Sequence, residues 1–152
     1  MGILMKLADA ITVLFLCLVA FVGLMPLGYV FLPSDHSLHH HIEDFMRSEQ
    51  HYLVLEMPPF FKPLLYYHLL VNWPLAVASL YGFIFRKSWV STTSLILGVA
   101  FASIVVPVLG ELVGSGKGSF ELIRVYAVLF CLAVVVVFRS LVASAATKTK
   151  TA

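Results

Sequence analysis

The sequence predicts an all-α integral membrane protein: a four-transmembrane-helix bundle, bent at prolines and closed at one end by a lumenal cap loop. Three observations predict it. Of 152 residues, 61% are apolar and only 12% charged, with a mean hydropathy of +0.97; soluble domains run at roughly 45–50% apolar and about 25% charged. Four segments are long and apolar enough to cross a bilayer core of about 30 Å. The lysines and arginines collect on one side of the resulting up-down-up-down arrangement. Composition also argues against disorder and nucleic-acid binding, because the net charge is only +2 and no basic run stands out.

The whole chain, 1–152, reads as a single membrane domain with spans at about 9–32, 60–85, 89–113 and 120–143. The first is longer than a secretory signal core and ends at Pro33 without a small-residue cleavage site, so it reads as a retained span. Orientation follows from charge. Lys6, Arg86, Lys87, Arg139, Lys148 and Lys150 share one side, whereas the 33–59 loop carries Asp35, Glu43, Asp44, Glu49 and Glu56 against Arg47. Both termini are therefore expected in the cytosol and the loop in the lumen. Lys148 and Lys150, fifth and third from the end of the 144–152 tail, match a dilysine retrieval signal and place the chain in the endoplasmic reticulum. The plainer reading is that they simply end a span by the positive-inside rule.

The 33–59 segment, roughly 27 residues, is long for a loop in a compact bundle. Within it Leu38, Ile42, Phe45 and Met46 recur at helical spacing, so an amphipathic helix is expected to lie as a cap over the lumenal mouth. Pro58-Pro59 then ends the loop and starts span two. His36, His39, His40, His41 and His51 fall in this acidic stretch and are read as a solvated cap rather than a metal site. Cys17 and Cys131 lie in apolar runs with no partner at ligand spacing, which gives neither a disulfide framework nor zinc. No cofactor is expected.

Polar groups at membrane depth are costly and usually face the bundle interior. His68 and Asn72 share one face of span two with Phe61 and Leu65, and His68 should sit roughly 12 Å below the lumenal end. Glu111, Arg124 and Tyr126 come from the lumenal ends of spans three and four. Each has a plainer alternative. Asn72 can bond a neighbouring helix, His68 can be a satisfied core imidazole, and Glu111 can form a salt bridge with Arg124 that ties spans three and four. Pro26, Pro74 and Pro107 free the carbonyls of Val22, Leu70 and Ser103, and bends at similar depth would open a pocket between the helices. Phe60, Phe61, Tyr66, Tyr67, Trp73, Tyr81, Phe101 and Tyr126 are available to line it; tyrosines and tryptophans near span ends can equally be interface anchors.

The run Glu56-x-Pro58-Pro59-Phe60-Phe61-Lys62, then Tyr67-His68-Leu69-Leu70-x-Asn72-x-Pro74 and Tyr81, resembles the EXPERA family, in its sigma-2 receptor (transmembrane protein 97) branch with its plant relatives. Val106-Pro107-Val108-Leu109, Val125-Tyr126-Ala127 and the lysine-bearing tail fit the same register. The resemblance covers nearly the whole chain and is most specific over 56–74. It implies four helices in the endoplasmic reticulum around an occluded, lipid-accessible cavity that binds sterols or cationic amphiphiles. A larger branch of the family, the emopamil-binding proteins, isomerises sterol double bonds. The chain departs from the sigma-2 pattern where that pattern has acids: Val30–Leu32, His51 and His68 stand in those places.

Three functions follow as expectations. The first is binding of a sterol-like or other hydrophobic small molecule, with Asn72, Tyr67, Tyr126, Phe61, Trp73 and Phe101 as ligand-binding residues. The second is a double-bond isomerase with His68 and Glu111 as the acid–base pair. The third is a non-catalytic regulatory partner of another membrane protein. The partners implied are the hydrophobic ligand and the lipid bilayer; a homodimer is left open, and the small residues from Gly110 to Gly118 lie too near a turn to argue for one.

Overall fold

In a computed structural model the chain is described over residues 2–151, with side chains described for 2–146. Among these residues the secondary structure is entirely helical. The N-terminal column is α1 (Gly2–Phe21), a 3₁₀ turn (Val22–Leu24) and α2 (Met25–Phe31). The cap segment holds α3 (Ser37–Ser48) and α4 (Tyr52–Glu56). A second column follows as α5 (Phe61–Tyr67), a π turn (His68–Asn72) and α6 (Trp73–Ile84). Two long helices complete the chain, α7 (Val90–Gly114) and α8 (Phe120–Thr151).

Three helical stretches are long and apolar enough to cross a membrane: Gly2–Phe31, Val90–Gly114 and Phe120–Ala146. The column from Phe61 to Ile84 keeps right-handed helical backbone through His68, Asn72 and Trp73, but its π turn divides it into shorter pieces. α1 packs on α6 and α8, α6 on α7, and α7 on α8. Large apolar side chains face outward along these helices, Leu70, Ile84, Val113 and Phe138 among them. A soluble monomer rarely leaves such a surface uncovered.

The prolines have three different outcomes. Pro26 lies in the first turn of α2, and the Val22 carbonyl it frees accepts from the Met25 N–H, which makes the 3₁₀ turn. Pro74 lies in the first turn of α6, and the preceding turn widens so that the Trp73 N–H reaches the His68 carbonyl. Pro107 sits inside α7 without dividing it.

Packing forms two cores. One joins Phe15, Leu16, Ala76, Leu97, Phe101, Ala133 and Val136; the Phe15 and Phe101 rings meet edge to face, centroids 5.1 Å apart. Between helices in lipid the attraction is close packing rather than water exclusion. Small residues supply that packing: a Cβ on Gly98 would stand 2.9 Å from Val137 Cγ2 and 3.2 Å from the Ala133 carbonyl oxygen. The other core, at the cap end, joins Leu27, Ile42, Met46, Leu53, Val54, Phe61, Leu65, Val108, Leu112 and Leu122.

The structure departs from sequence expectation in several places. The 33–59 loop is mostly helix: α3 buries Ile42 and Met46, as its periodicity predicts, and α4 adds Leu53 and Val54. α8 continues past the expected end of the last span as far as Thr151; Ala143, Ala145 and Ala146 offer no breaker. The side chains of Lys148 and Lys150 lie outside the described residues. The predicted Glu111–Arg124 bridge does not form. Arg124 instead pairs with Glu121 one turn away on its own helix. The tie to the α7–α8 turn comes from the cap, where Lys117 Nζ lies 2.8 Å from Glu56 Oε2 and Tyr52 Oη lies 3.0 Å from Ser115 Oγ.

Candidate functional site

Between the two cores lies a cavity of about 530 Å3, within the roughly 300–1,000 Å3 range of pockets that hold drug-sized ligands. Val19, Phe101 and Val105 of one core and Met46, Phe61, Leu65, Val108 and Leu122 of the other face into it. The 3₁₀ turn contributes Val22 and Gly23, the cap contributes Phe45, Glu49 and His51, and α8 contributes residues from Glu121 to Leu132. The wall is mostly apolar. Its polar side chains are Glu49, His51, His68, Glu121, Arg124 and Tyr126. Glu49, Glu121 and Arg124 are exposed, so the interior polar groups reduce to two imidazoles and one phenol.

His68 is buried at 6% exposure, with its ring edge to face against Phe101 at 6.2 Å between centroids. The π turn places it where the N-terminal column is at its thinnest, over Gly23. A Cβ there would lie 2.8 Å from His68 Cε1 and would collide with Nε2. Nε2 has no hydrogen-bond partner.

His51 occupies a place the sequence does not mark. It was expected in a solvated cap with the other histidines, yet it is partly buried and lines the cavity. Its Nε2 lies 3.1 Å from the Tyr126 hydroxyl, and its Nδ1 is sealed from solvent with no partner. Burial pushes the imidazole below the usual histidine range, so the ring is neutral near pH 7. Gln50, with φ of +54°, turns the chain from α3 back toward the bundle and so delivers His51. The remaining histidines serve the cap itself: His36 Nδ1 accepts the Leu38 N–H at 3.2 Å, and His39 stacks on Tyr29 with centroids 4.7 Å apart. Among the described residues no three His, Cys, Asp or Glu side chains converge as a metal site would require.

Of the eight residues expected to be catalytic or ligand-binding, His68, Phe61, Phe101 and Tyr126 meet at this cavity. The other four do not line it. Val108 lines the cavity but Glu111, almost one turn further along α7, does not, so His68 and Glu111 are not assembled around the cavity as an acid–base pair. Tyr67 is 40% exposed on the outer surface. The Trp73 indole donates to the Ala20 carbonyl at 3.1 Å and ties α6 to α1. Asn72 is fully buried with both amide atoms unpartnered, which also differs from the neighbouring-helix bond expected of it.

A second polar pair, also missed by sequence, sits in the other half of the molecule. Arg139 Nε donates to Asp9 Oδ1 at 2.7 Å across α8 and α1, and the guanidinium lies over the Phe83 ring, 4.6 Å from its centroid. No protein family, curated protein or solved structure matches the chain.

Proposed function

We propose that the chain is a four-span, EXPERA-like protein of the endoplasmic-reticulum membrane that holds a sterol-like or other hydrophobic small molecule in the cavity between its two cores. The observation that carries the reading is the cavity: about 530 Å3, walled mostly by apolar and aromatic side chains from every column, with His51, His68 and Tyr126 the polar lining residues that are not exposed. Such a hollow is costly to leave empty in a close-packed bundle. Its size and lining suit an amphiphile with a large apolar body. The fourth span is the Phe61–Ile84 column, about 24 residues and roughly 36 Å at the helical rise, enough to cross a bilayer core. Leu70, Val77 and Ile84 on its outer face suit lipid contact. The lysine and arginine asymmetry and the Lys148/Lys150 tail support cytosolic termini and residence in the endoplasmic reticulum.

Isomerase chemistry at His68 needs a second proton-transfer group within reach of the same substrate carbons. Glu111, the carboxylate expected in that role, is off the cavity wall, and His68 Nε2 is itself sealed against Gly23. Binding without turnover is therefore the reading that the geometry supports best. Purification in mild detergent, followed by solvent extraction and mass spectrometry, tests it. One hydrophobic compound is expected near stoichiometric amount with the wild-type chain and depleted in Val108→Trp, which fills the cavity. A wild-type protein that carries only bulk lipid, in the same proportions as the filled variant, overturns the reading.

A further inference from the structure

We propose that the joint between α3 and α4 is an acid-released latch: a proton taken up by His51 frees the cap from α8 and opens the cavity at its cap end. The inference concerns access to the cavity rather than its occupant, and rests on the cavity reading only for what lies behind the latch.

The latch is a polar contact at a hinge. Glu49, Gln50 and His51 form the joint, and Phe45, Met46, Glu49 and His51 roof the cavity from the cap side. Among the described residues, the only side-chain hydrogen bond from this joint to the helices behind it joins His51 Nε2 and the Tyr126 hydroxyl, at 3.1 Å. The parts on either side are anchored separately. α4 is held by Glu56 on Lys117 and Tyr52 on Ser115, and α3 by its buried Ile42 and Met46. Between them stands Gln50, with φ of +54°. A side chain other than glycine is strained in that region and stays there only while its surroundings hold it. Once the His51 contact is lost, the joint relaxes outward while both helices keep their own anchors.

Proton uptake breaks the contact because of where the ring sits. Nδ1 is sealed from solvent without a partner. A neutral ring can leave a lone pair there, but an imidazolium carries an N–H at both nitrogens. The closed cap would then strand a donor and a positive charge out of water. Burial already opposes the charged form in the closed cap.

No neighbour offsets that cost. The other titratable groups on the cavity wall are Tyr126, Glu121 and Arg124 of α8, Glu49 of α3 and His68 of the π turn; α1, the 3₁₀ turn, α2, α5 and α7 supply none. Glu121 is taken by Arg124, Glu49 is exposed to solvent, and neither the phenol nor the second imidazole brings a negative charge. With the joint lifted, the ring meets water and titrates near its ordinary value of about 6.5. The open form therefore holds the proton more tightly, and acid shifts the population toward it.

Spin labels on Asp44→Cys in α3 and Gly114→Cys at the end of α7, both exposed, report the distance from cap to bundle in the full chain in nanodiscs. Cys17→Ala and Cys131→Ala remove the native thiols. Between about pH 8 and about pH 5, the range over which histidine changes charge, the distance distribution is expected to shift reversibly to longer values. His51→Gln, which keeps a hydrogen-bonding amide and takes up no proton, should hold the short distance throughout; His51→Leu serves the same purpose should His51→Gln lose its fold. His39 is the competing trigger, because its Nδ1 is also sealed and its ring stacks on Tyr29, and His39→Gln should keep the acid response. A wild-type distance that does not move with pH, a response that survives in His51→Gln, or one that disappears in His39→Gln overturns the latch. None of these outcomes touches the occupancy of the cavity, which co-purification tests by itself.

Discussion

The ring of His68 rests on the backbone of Gly23, so close that a methyl group added to that glycine would stand 2.8 Å from Cε1. The contact joins the two places where the helical register changes, the 3₁₀ turn ahead of Pro26 and the π turn ahead of Pro74. Gly23 suits this place because only a residue without a side chain lets the imidazole come this close to the column. Gly23→Ala should therefore destabilise the protein by about 1–3 kcal/mol, the usual range for overpacking. The specific test is a double-mutant cycle with His68→Ala, read by thermal denaturation in detergent. In the absence of the ring the added methyl should cost little, giving a coupling of about 0.5–3 kcal/mol for residues in contact. Additive effects would show that the two do not meet.

His68 lines the cavity and Glu111 does not, and this separates their variants. Glu111→Gln should leave the apparent affinity for the co-purified ligand unchanged. His68→Ala enlarges the cavity and removes the ring packed on Phe101, and should shift affinity by roughly tenfold, the equivalent of about 1.4 kcal/mol. Binding measured on the two purified variants checks this. A larger effect from Glu111→Gln would restore the carboxylate to the site.

Much of the fold is legible in the sequence because the bilayer imposes simple demands. Length and apolarity mark α1–α2, α7 and α8, and the spacing of Ile42 and Met46 marks α3. The site is less legible, because depth can be counted along a helix but direction around it cannot. Tyr67 and His68 are adjacent and turned about 100° apart, one exposed and the other buried. Glu111 follows Val108 by three residues on α7, and the cavity wall includes Val108 but not Glu111. The π turn then shifts the register between Asn72 and Trp73, and the indole ends on Ala20 rather than in the hollow. His51 lies beside polar Glu49 and Gln50, and only the left-handed backbone at Gln50 brings it inward. Short-range patterns do not encode that turn.

The His51 ring gives a pH dependence whose sign can be worked out. Burial lowers its proton affinity in the folded chain below the unfolded value, which is about 6.5. Above that pH both states are neutral at this residue, and no stability is lost. As pH falls from about 6.5 through the folded value, the unfolded chain takes up a proton that the folded chain resists, and stability declines until both are charged. The melting temperature should thus fall as pH drops below about 6.5, with a shallower fall in His51→Gln. Superimposable melting profiles for the two proteins would remove His51 from the account.

The Asp9–Arg139 pair makes the last prediction, because its two members are buried unequally. Arg139 is 10% exposed and Asp9 44%, and Arg139 Nη1 is sealed without a partner. The guanidinium is therefore the dependent partner, held by one carboxylate and the face of Phe83. Removing the carboxylate alone leaves a buried charge uncompensated, which costs about 3–5 kcal/mol in fully buried pairs; with Asp9 nearly half exposed, about 1–3 kcal/mol is the appropriate scale. Replacing both residues removes the charge along with its partner. Asp9→Ala should consequently destabilise more than Asp9→Ala/Arg139→Met does, as measured by melting in detergent, since methionine fills the space over Phe83 without a charge. A double variant less stable than the single would mean that the pair itself, rather than relief of a stranded guanidinium, binds α1 to α8.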